Sequence, residues 1–181
     1  MNFIAGVDEV GRGCLAGPVI AAAVVLKTNI PGLADSKKLS KKKREELSST
    51  IMQNSYFSFG SASVEEIDSI NILQASLLAM KRAILNLSVE PGEILVDGTH
   101  KPDLDIDTQT IIGGDSIVDE ISAASIIAKV YRDNLMMQFD KKYPDFYFSS
   151  HKGYGTKLHK AAIKKHGITP IHRKTFKGVI A

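Results

Sequence analysis

The run from Phe3 to Gly13 limits what this chain can fold into more than any other stretch. Phe3, Ile4, Ala5 and Val7 form a short apolar segment without helical spacing, which reads as a strand. The segment closes on Asp8 and Glu9, and Gly11-Arg12-Gly13 follows. A buried strand should not end on two carboxylates unless something compensates them, because an unpaired buried charge is strongly unfavourable or shifts its pKa. A divalent cation is the simplest partner, since Mg²⁺ and Mn²⁺ take hard oxygen ligands. Neighbours on a regular strand point to opposite faces. Asp8 and Glu9 are therefore expected to share a site at the strand's end or at a bulge. The glycines let backbone N–H groups approach an anion, and Arg12 adds a planar fork suited to phosphate. An Asp-Glu pair by itself is a solvated turn; closing an apolar strand and opening Gly-Arg-Gly, it reads as a site.

The remaining elements alternate. Val19 to Leu26 is a continuous apolar run of strand length that should pair with the first strand. A loop with Asp35-Ser36-Lys37-Lys38 follows. Ser40 then caps a helix expected over 41–53, with Leu47 and Ile51 on one face. Lys41-Lys42-Lys43-Arg44 reads as a solvated first turn, which leaves Lys37 and Lys38 as the better phosphate ligands. A third strand is expected over 56–64. A wide apolar stripe from Ile67 to Leu87 then predicts a helix, broken near Asn71 and ended by Pro91-Gly92. Strands over 93–98 and 109–112 end at Asp97-Gly98 and ahead of Gly113-Gly114-Asp115. Asp119-Glu120 opens a long helix expected to reach about residue 139, its acids matched to the helix dipole. Thr156 should cap a basic helix over 157–166. This order is an α/β domain.

Charge divides the chain. Residues 141–181 carry ten Lys/Arg against one acid, whereas the preceding residues carry thirteen against nineteen. Four of the five histidines also lie in the basic part. An acidic body over 1–140 and a basic helical extension over 141–181 suit a metal-loading body with a polyanion-gripping tail, and equally a solvated basic surface. Aromatic residues between the lysines of the extension suit either nucleic acid or docking on the body. The single cysteine, Cys14, excludes an internal disulfide and a cysteine-rich zinc site, and points to a reducing compartment. No leader pattern and no membrane-length apolar run is seen, so a cytoplasmic protein is expected.

Asp8, Glu9, Asp97 and Asp115 thus arrive next to glycines at three expected strand ends, where sites of α/β folds assemble. Four carboxylates so placed suit a two-metal centre for phosphodiester hydrolysis. No Ser or Cys triad is evident, and Cys14 reads as a small turn or core residue. Two other classes stay open: a nucleic-acid-binding module with a structural metal site, and a nuclease or phosphotransferase acting on other substrates.

The chain resembles the type 2 ribonuclease H family. The resemblance rests on Asp8-Glu9-Val10-Gly11-Arg12-Gly13, Gly17-Pro18-Val19, Asp35-Ser36-Lys37-Lys38-Leu39, Val96-Asp97-Gly98 and Gly114-Asp115. The segment from Ile121 to Asp133 and the closing His172-Arg173-Lys174-Thr175-Phe176 complete it, in the family's order and over nearly the whole chain. It implies a ribonuclease H-like mixed β-sheet flanked by helices, with a small helical C-terminal extension. It implies catalytic, metal-binding acids at Asp8, Glu9, Asp97 and Asp115, with Mn²⁺ or Mg²⁺ as cofactor. Substrate contacts are implied at Gly11, Arg12, Gly13, Ser36, Lys37, Lys129 and Tyr154. Of these, Gly11-Arg12-Gly13 reads the 2′-hydroxyl at an RNA–DNA junction and Tyr154 meets the next sugar. The implied partners are RNA–DNA hybrid and duplex DNA containing ribonucleotides, met by a monomer away from membranes. Gly113 stands where the family commonly carries lysine, which removes a positive charge beside Asp115.

Overall fold

The computed structural model describes residues 3–180. Strands β1 (Ile4–Val10), β2 (Val19–Leu26), β3 (Ser55–Ala62), β4 (Glu93–Asp97) and β5 (Asp107–Ile111) form one sheet in the order β3-β2-β1-β4-β5. β1, β2 and β3 pair antiparallel, while β4 runs parallel to β1 and β5 parallel to β4. Among the described residues there are five helices: α1 (Lys41–Gln53), α2 (Val64–Leu85), α3 (Asp119–Lys142), α4 (Phe148–His151) and α5 (Lys157–His166). Single 3₁₀ turns occur at Gly114–Ser116 and Pro144–Phe146. This is the mixed sheet with flanking helices and a helical C-terminal extension that the sequence leads one to expect.

β2 shows why the sheet is central. Its Val19, Ala21 and Ala23 pack beneath α2, and its Ala22 and Val24 pack towards α1 and α3. Being covered on both faces, it reads as an unbroken apolar run rather than an alternating one. Two glycines set how closely the helices approach. A Cβ on Gly6 would stand 2.1 Å from the backbone of Glu120, and one on Gly60 would stand 2.1 Å from the Ala79 carbonyl. α3 therefore lies directly on β1, and α2 directly on β3.

Several boundaries differ from the sequence reading for local reasons. β3 stops at Ala62 because Ser63 caps α2 in a reciprocal box with Glu66, which draws Val64 into the helix. α2 ends at Leu85, well before Pro91, and Asn86 takes the cap position. The expected break falls at Asn71, whose φ is 68° and whose side chain accepts from the N–H groups of Leu73 and Gln74, starting the helix afresh. β5 begins two residues earlier than expected, and α3 runs on to Lys142.

A third apolar cluster joins the extension to the body. Leu15 and Ala16 from the loop after β1 meet Met136 of α3, Phe146, Phe148, Ala162, Ile163 and Val179. Of the aromatics read as suiting either nucleic acid or docking on the body, Phe146 and Phe148 are core residues that dock, while Tyr147 and Tyr154 keep exposed faces.

Candidate active site

β1 and β4 run parallel with Val7 beside Val96, so the next residues, Asp8 and Asp97, stand side by side. β4 ends there, while β1 continues to Val10 on its pairing with β2. The parallel neighbour's early stop opens a notch at the sheet, and through it two consecutive residues serve one site. They need neither a strand end nor a bulge in β1, because Asp8 and Glu9 lie on opposite faces and both border the notch. Glu9 lines the main cleft and also a smaller hollow on the α2 side with Asp97 and His100. The main cleft, of about 480 Å³, is bordered by Asp8, Glu9, Gly11, Arg12, Gly13, Ser36, Lys37, Asp97, Ser125, Lys129 and Tyr154. A larger hollow of about 630 Å³ at the start of α3 includes none of the strand-borne acids.

Asp115 is delivered differently. It sits in the 3₁₀ turn past β5 rather than at a strand end. It does not border the main cleft, but its carboxyl is close enough to Asp97 to be repelled by it, and Lys37 Nζ lies 3.9 Å from its Oδ2. Lys37 therefore brings a cation to the acid that has Gly113-Gly114 before it. Gly113 lies in left-handed space, with φ 68°.

The carboxylates repel one another. Burial raises the pKa of Asp8 well above the ordinary value, with Glu9 and Asp97 adding to it, while Ser125 and a hydrogen bond from the Glu9 N–H oppose the rise. Burial also raises Glu9, against the pull of Arg12, whose guanidinium lies 3.1 Å away. Asp115 is raised by burial and by Asp97 and Asp35, against Lys37. Asp97 Oδ1 is buried without any hydrogen-bond partner. A buried acceptor left unpaired is costly, and hard oxygens crowded at raised pKa are the donor set a divalent cation takes. The residues fit such an ion. Among the described residues, no three acid, histidine or cysteine side chains yet converge on one point.

Two buried guanidiniums shape the Gly11–Pro18 loop. Arg132 of α3 and Arg173 near the C-terminus are fully buried. Arg132 donates to the carbonyls of Pro18, Ala16 and Lys152, and Arg173 to those of Gly11, Arg12 and Gly17. Burial lowers Arg173 to about 10, which leaves it charged at neutral pH. With these carbonyls turned inward onto cations, the peptide dipoles at Gly11-Arg12-Gly13 are fixed. Gly11, at φ 97°, packs on Arg132, where a Cβ would come within 2.2 Å of Nε, while Gly13 faces open space. Gly11 therefore admits the guanidinium and Gly13 leaves room at the cleft.

The other expected substrate-binding residues gather around this loop. Ser36 is buried, and its hydroxyl accepts at 3.0 Å from that of Ser125, which also stands beside Asp8. Lys129 is paired with Asp133 at 2.8 Å, and its Nζ lies 5.8 Å from the centre of the Tyr154 ring. Tyr154 keeps 40% of its surface exposed. Arg44, read from sequence as part of a solvated first turn, instead donates to the carbonyls of Ser36 and Leu39 at 2.5 and 3.0 Å, holding the lysine loop to α1. Sequence reasoning missed Ser125, Arg132, Arg173 and this use of Arg44. Lys38, the other phosphate ligand expected, faces Asp35 at 4.0 Å and does not border the cleft. Cys14 is buried, as expected of a core residue.

Known proteins share this sequence pattern and fold. A family model described as "Ribonuclease HII" matches residues 5–179. The chain is 59% identical over 180 residues to the ribonuclease HII of Coxiella burnetii (strain RSA 493 / Nine Mile phase I), covering 98% of this chain and 89% of that one. The crystal structure of the ribonuclease H2 from Pyrococcus horikoshii OT3 superposes with a TM-score of 0.80 at 28% identity, covering 98% of this chain and 95% of that one. The ribonuclease HII in a PCNA complex from Archaeoglobus fulgidus gives 0.75 at 26% identity, covering 97% and 95%. A cleft of sheet-borne acids beside an arginine-braced glycine loop, with a family match along nearly the whole chain, leads to one assignment: the chain belongs to the ribonuclease HII family, metal-dependent endonucleases of the ribonuclease H class.

Proposed function

We propose that this protein hydrolyses the RNA strand of RNA–DNA hybrids and cuts on the 5′ side of single ribonucleotides embedded in duplex DNA, leaving 5′-phosphomonoesters. The observation that carries this reading is the notch where Asp8, Glu9 and Asp97 meet beside Gly11-Arg12-Gly13, with Asp97 Oδ1 buried and unpaired. Asp8, Glu9, Asp97 and Asp115 would hold two divalent ions, Mg²⁺ or Mn²⁺. When bound, such ions supply an activated water and neutralise charge on the leaving oxygen. Around them the protein's own groups select and orient the substrate. Arg12 and Lys37 draw the scissile phosphate in. The N–H groups of the braced glycine loop meet the ribose 2′-hydroxyl, the group that separates RNA from DNA. Ser125 holds the Asp8 carboxyl and Ser36 in register.

Tyr154 supports selectivity at the next sugar, where its half-exposed ring would lie flat against deoxyribose and crowd an extra hydroxyl. In this reading 1–140 carries the chemistry and the basic extension 141–181 adds grip. The protein works as a monomer in the cytoplasm; among the described residues no helix is long and apolar enough to cross a membrane.

The test is incubation with Mg²⁺ or Mn²⁺ and a labelled duplex carrying one ribonucleotide, with the cut mapped. Cleavage 5′ to the ribonucleotide and none on an all-DNA duplex is expected. Binding without cleavage would favour a nucleic-acid-binding module, and equal cleavage of all-DNA would favour a general nuclease.

A further inference from the structure

A second hollow, of about 280 Å³, opens between α1, α3 and the turn that follows α4. Lys41 and Arg44 of α1 and Lys152 of the turn border it, with Ser150 at its rim. The acids there already have partners. Asp133 is paired with Lys129 at 2.8 Å, and Asp140 nearby accepts from the Ser149 N–H. Glu45 lies 3.8 Å from Lys41 with both side chains well exposed, a pair of little strength. Among the described residues neither Arg44 nor Lys152 forms an ion pair. Arg44 uses Nη1 on the Ser36 and Leu39 carbonyls, which fixes its guanidinium between the hollow and the loop that brings Ser36 and Lys37 to the main cleft.

Lys152 is unusual in two ways. It caps α4 in the left-handed region, with φ 52°, where glycine or asparagine normally stands because a side chain is strained there. Its ammonium also turns back onto the Ser149 carbonyl at 2.5 Å instead of extending into water. Burial lowers its pKa, with Asp133 and Asp140 opposing and Lys41 and Lys129 adding to the effect. A partly buried cation held among other cations is relieved by an anion. α3 relates this hollow to the cleft. Ser125 stands beside Asp8, Lys129 borders the cleft near the Tyr154 ring, and Asp133 borders the hollow. At about 1.5 Å per residue the hollow lies about 12 Å along the helix from Ser125, past the Tyr154 ring. A strand that leaves the acids and passes that ring runs on towards the hollow.

We propose that this hollow is a backbone-phosphate site, in which Lys41, Arg44 and Lys152 take a phosphate of the DNA that continues 3′ from the ribonucleotide on the cleaved strand. A guanidinium and two ammoniums suit the free oxygens of a phosphodiester, and the Ser150 hydroxyl can donate as well. Phosphate contacts fix register without reading sequence, which suits an enzyme that must find one sugar in any sequence. At about 3.4 Å of axis per nucleotide, about 12 Å corresponds to roughly the second to fourth phosphate past the ribonucleotide. The site binds the strand equally before and during reaction. Its loss should therefore raise KM and leave kcat and the cut position unchanged.

The assignment rests on the proposed function, with Tyr154 marking the 3′ direction. Its test uses duplexes with one embedded ribonucleotide in which single phosphates are replaced, one at a time, by neutral methylphosphonate. The replacements run 3′ from the ribonucleotide on the cleaved strand and along the complementary strand opposite. Steady-state kinetics compares wild type with Lys41→Gln, Lys152→Asn and the double variant. Asparagine tolerates the left-handed backbone, so Lys152→Asn should fold and keep its Tm; if it does not, Lys41→Gln carries the test. Wild type should lose about tenfold in kcat/KM when a phosphate in the expected range is neutral. The double variant should lose a similar factor on the unmodified duplex, through KM, and little more when that same phosphate is neutral. Its slope of log K against log salt should flatten by about 0.9. Additive losses at every phosphate of the cleaved strand, coupling to the complementary strand alone, or a loss carried by kcat would overturn the proposal. If wild type cuts 5′ to the ribonucleotide and shows no such coupling, this inference alone fails. If wild type does not cut that duplex, the proposed function fails and the inference goes with it.

Discussion

Asp97 and Asp8 lie in adjacent strands at the same level, one with a buried unpaired oxygen and the other with its pKa raised by burial and by its neighbours. Function and stability therefore pull in opposite directions at these residues. If Asp8 and Asp97 hold the metal as proposed, Asp8→Asn and Asp97→Asn should each lower kcat by at least about a thousandfold, since each removes a carboxylate ligand. In EDTA, however, Asp8→Asn should melt no lower than wild type and is expected to melt higher, because it removes one of several mutually repelling charges. A lower Tm in EDTA would mean that Asp8 is part of the structural hydrogen bonding rather than a charge awaiting a partner. If the Tyr154 ring meets the substrate as proposed, Tyr154→Phe should keep most activity on a single embedded ribonucleotide, and Tyr154→Ala should lose about 1–3 kcal/mol of transition-state stabilisation there. Steady-state kinetics on both substrates checks it. The acids were legible in the sequence because several apolar runs close on or near a carboxylate, whereas a single such Asp is an ordinary turn former. Ser125 was not, since a serine among small helical residues carries no local sign that it faces Asp8.

At the scale of elements, the Gly11–Pro18 loop depends on side chains far away in the chain. Arg132 reaches Pro18 across 114 residues and Arg173 reaches Gly11 across 162. No local pattern encodes such partners, which is why the glycines could be read from sequence and the arginines that brace them could not. Arg173→Met keeps volume and removes the donors, leaving the Gly11, Arg12 and Gly17 carbonyls buried and unpaired. A loss of about 1–3 kcal/mol for each carbonyl that water cannot reach is expected, measured by denaturant unfolding. His151, His159 and His172, buried in the extension, make a separate prediction with a definite sign. The unfolded chain binds these protons near about pH 6.5, whereas the folded chain binds them lower, His172 at about 4. The unfolded state therefore holds more protons between these values, and stability falls as pH drops. Tm should be insensitive to these groups above about pH 7 and should decline between about pH 6.5 and pH 4, less steeply in His172→Asn relative to its own value at pH 7.

For the whole molecule, the charge split visible in the sequence coexists with a shared core. Leu15, Ala16 and Met136 pack on Phe146, Phe148 and Ile163, and Asp68 of α2 accepts from Lys174 and Thr175. Removing residues 141–181 would strip this core and the Arg173 brace together, so truncation cannot isolate electrostatic grip. Neutralising Lys160, Lys164 and Lys165 on α5 keeps the fold. If they bind phosphates, hybrid affinity should weaken and the slope of log K against log salt should flatten by up to about 0.9 for each phosphate no longer neutralised; an unchanged slope would put the grip elsewhere. The sheet order was legible only in part. Apolar runs and caps gave the elements, but the notch exists because β4 stops beside Asp8, and strand pairing is not written in either strand alone.

The central claim, that the acids at this notch and the braced glycine loop together make a ribonucleotide-directed metal nuclease, is tested most directly by one cleavage map. Wild type and Asp97→Asn are incubated with Mg²⁺, Mn²⁺ or EDTA on a duplex whose labelled strand holds a single ribonucleotide. The account predicts one wild-type cut on the 5′ side of that ribonucleotide with either metal, none in EDTA, and none with Asp97→Asn. Cleavage by folded Asp97→Asn at the wild-type rate, or a wild-type cut that persists in EDTA, would contradict it.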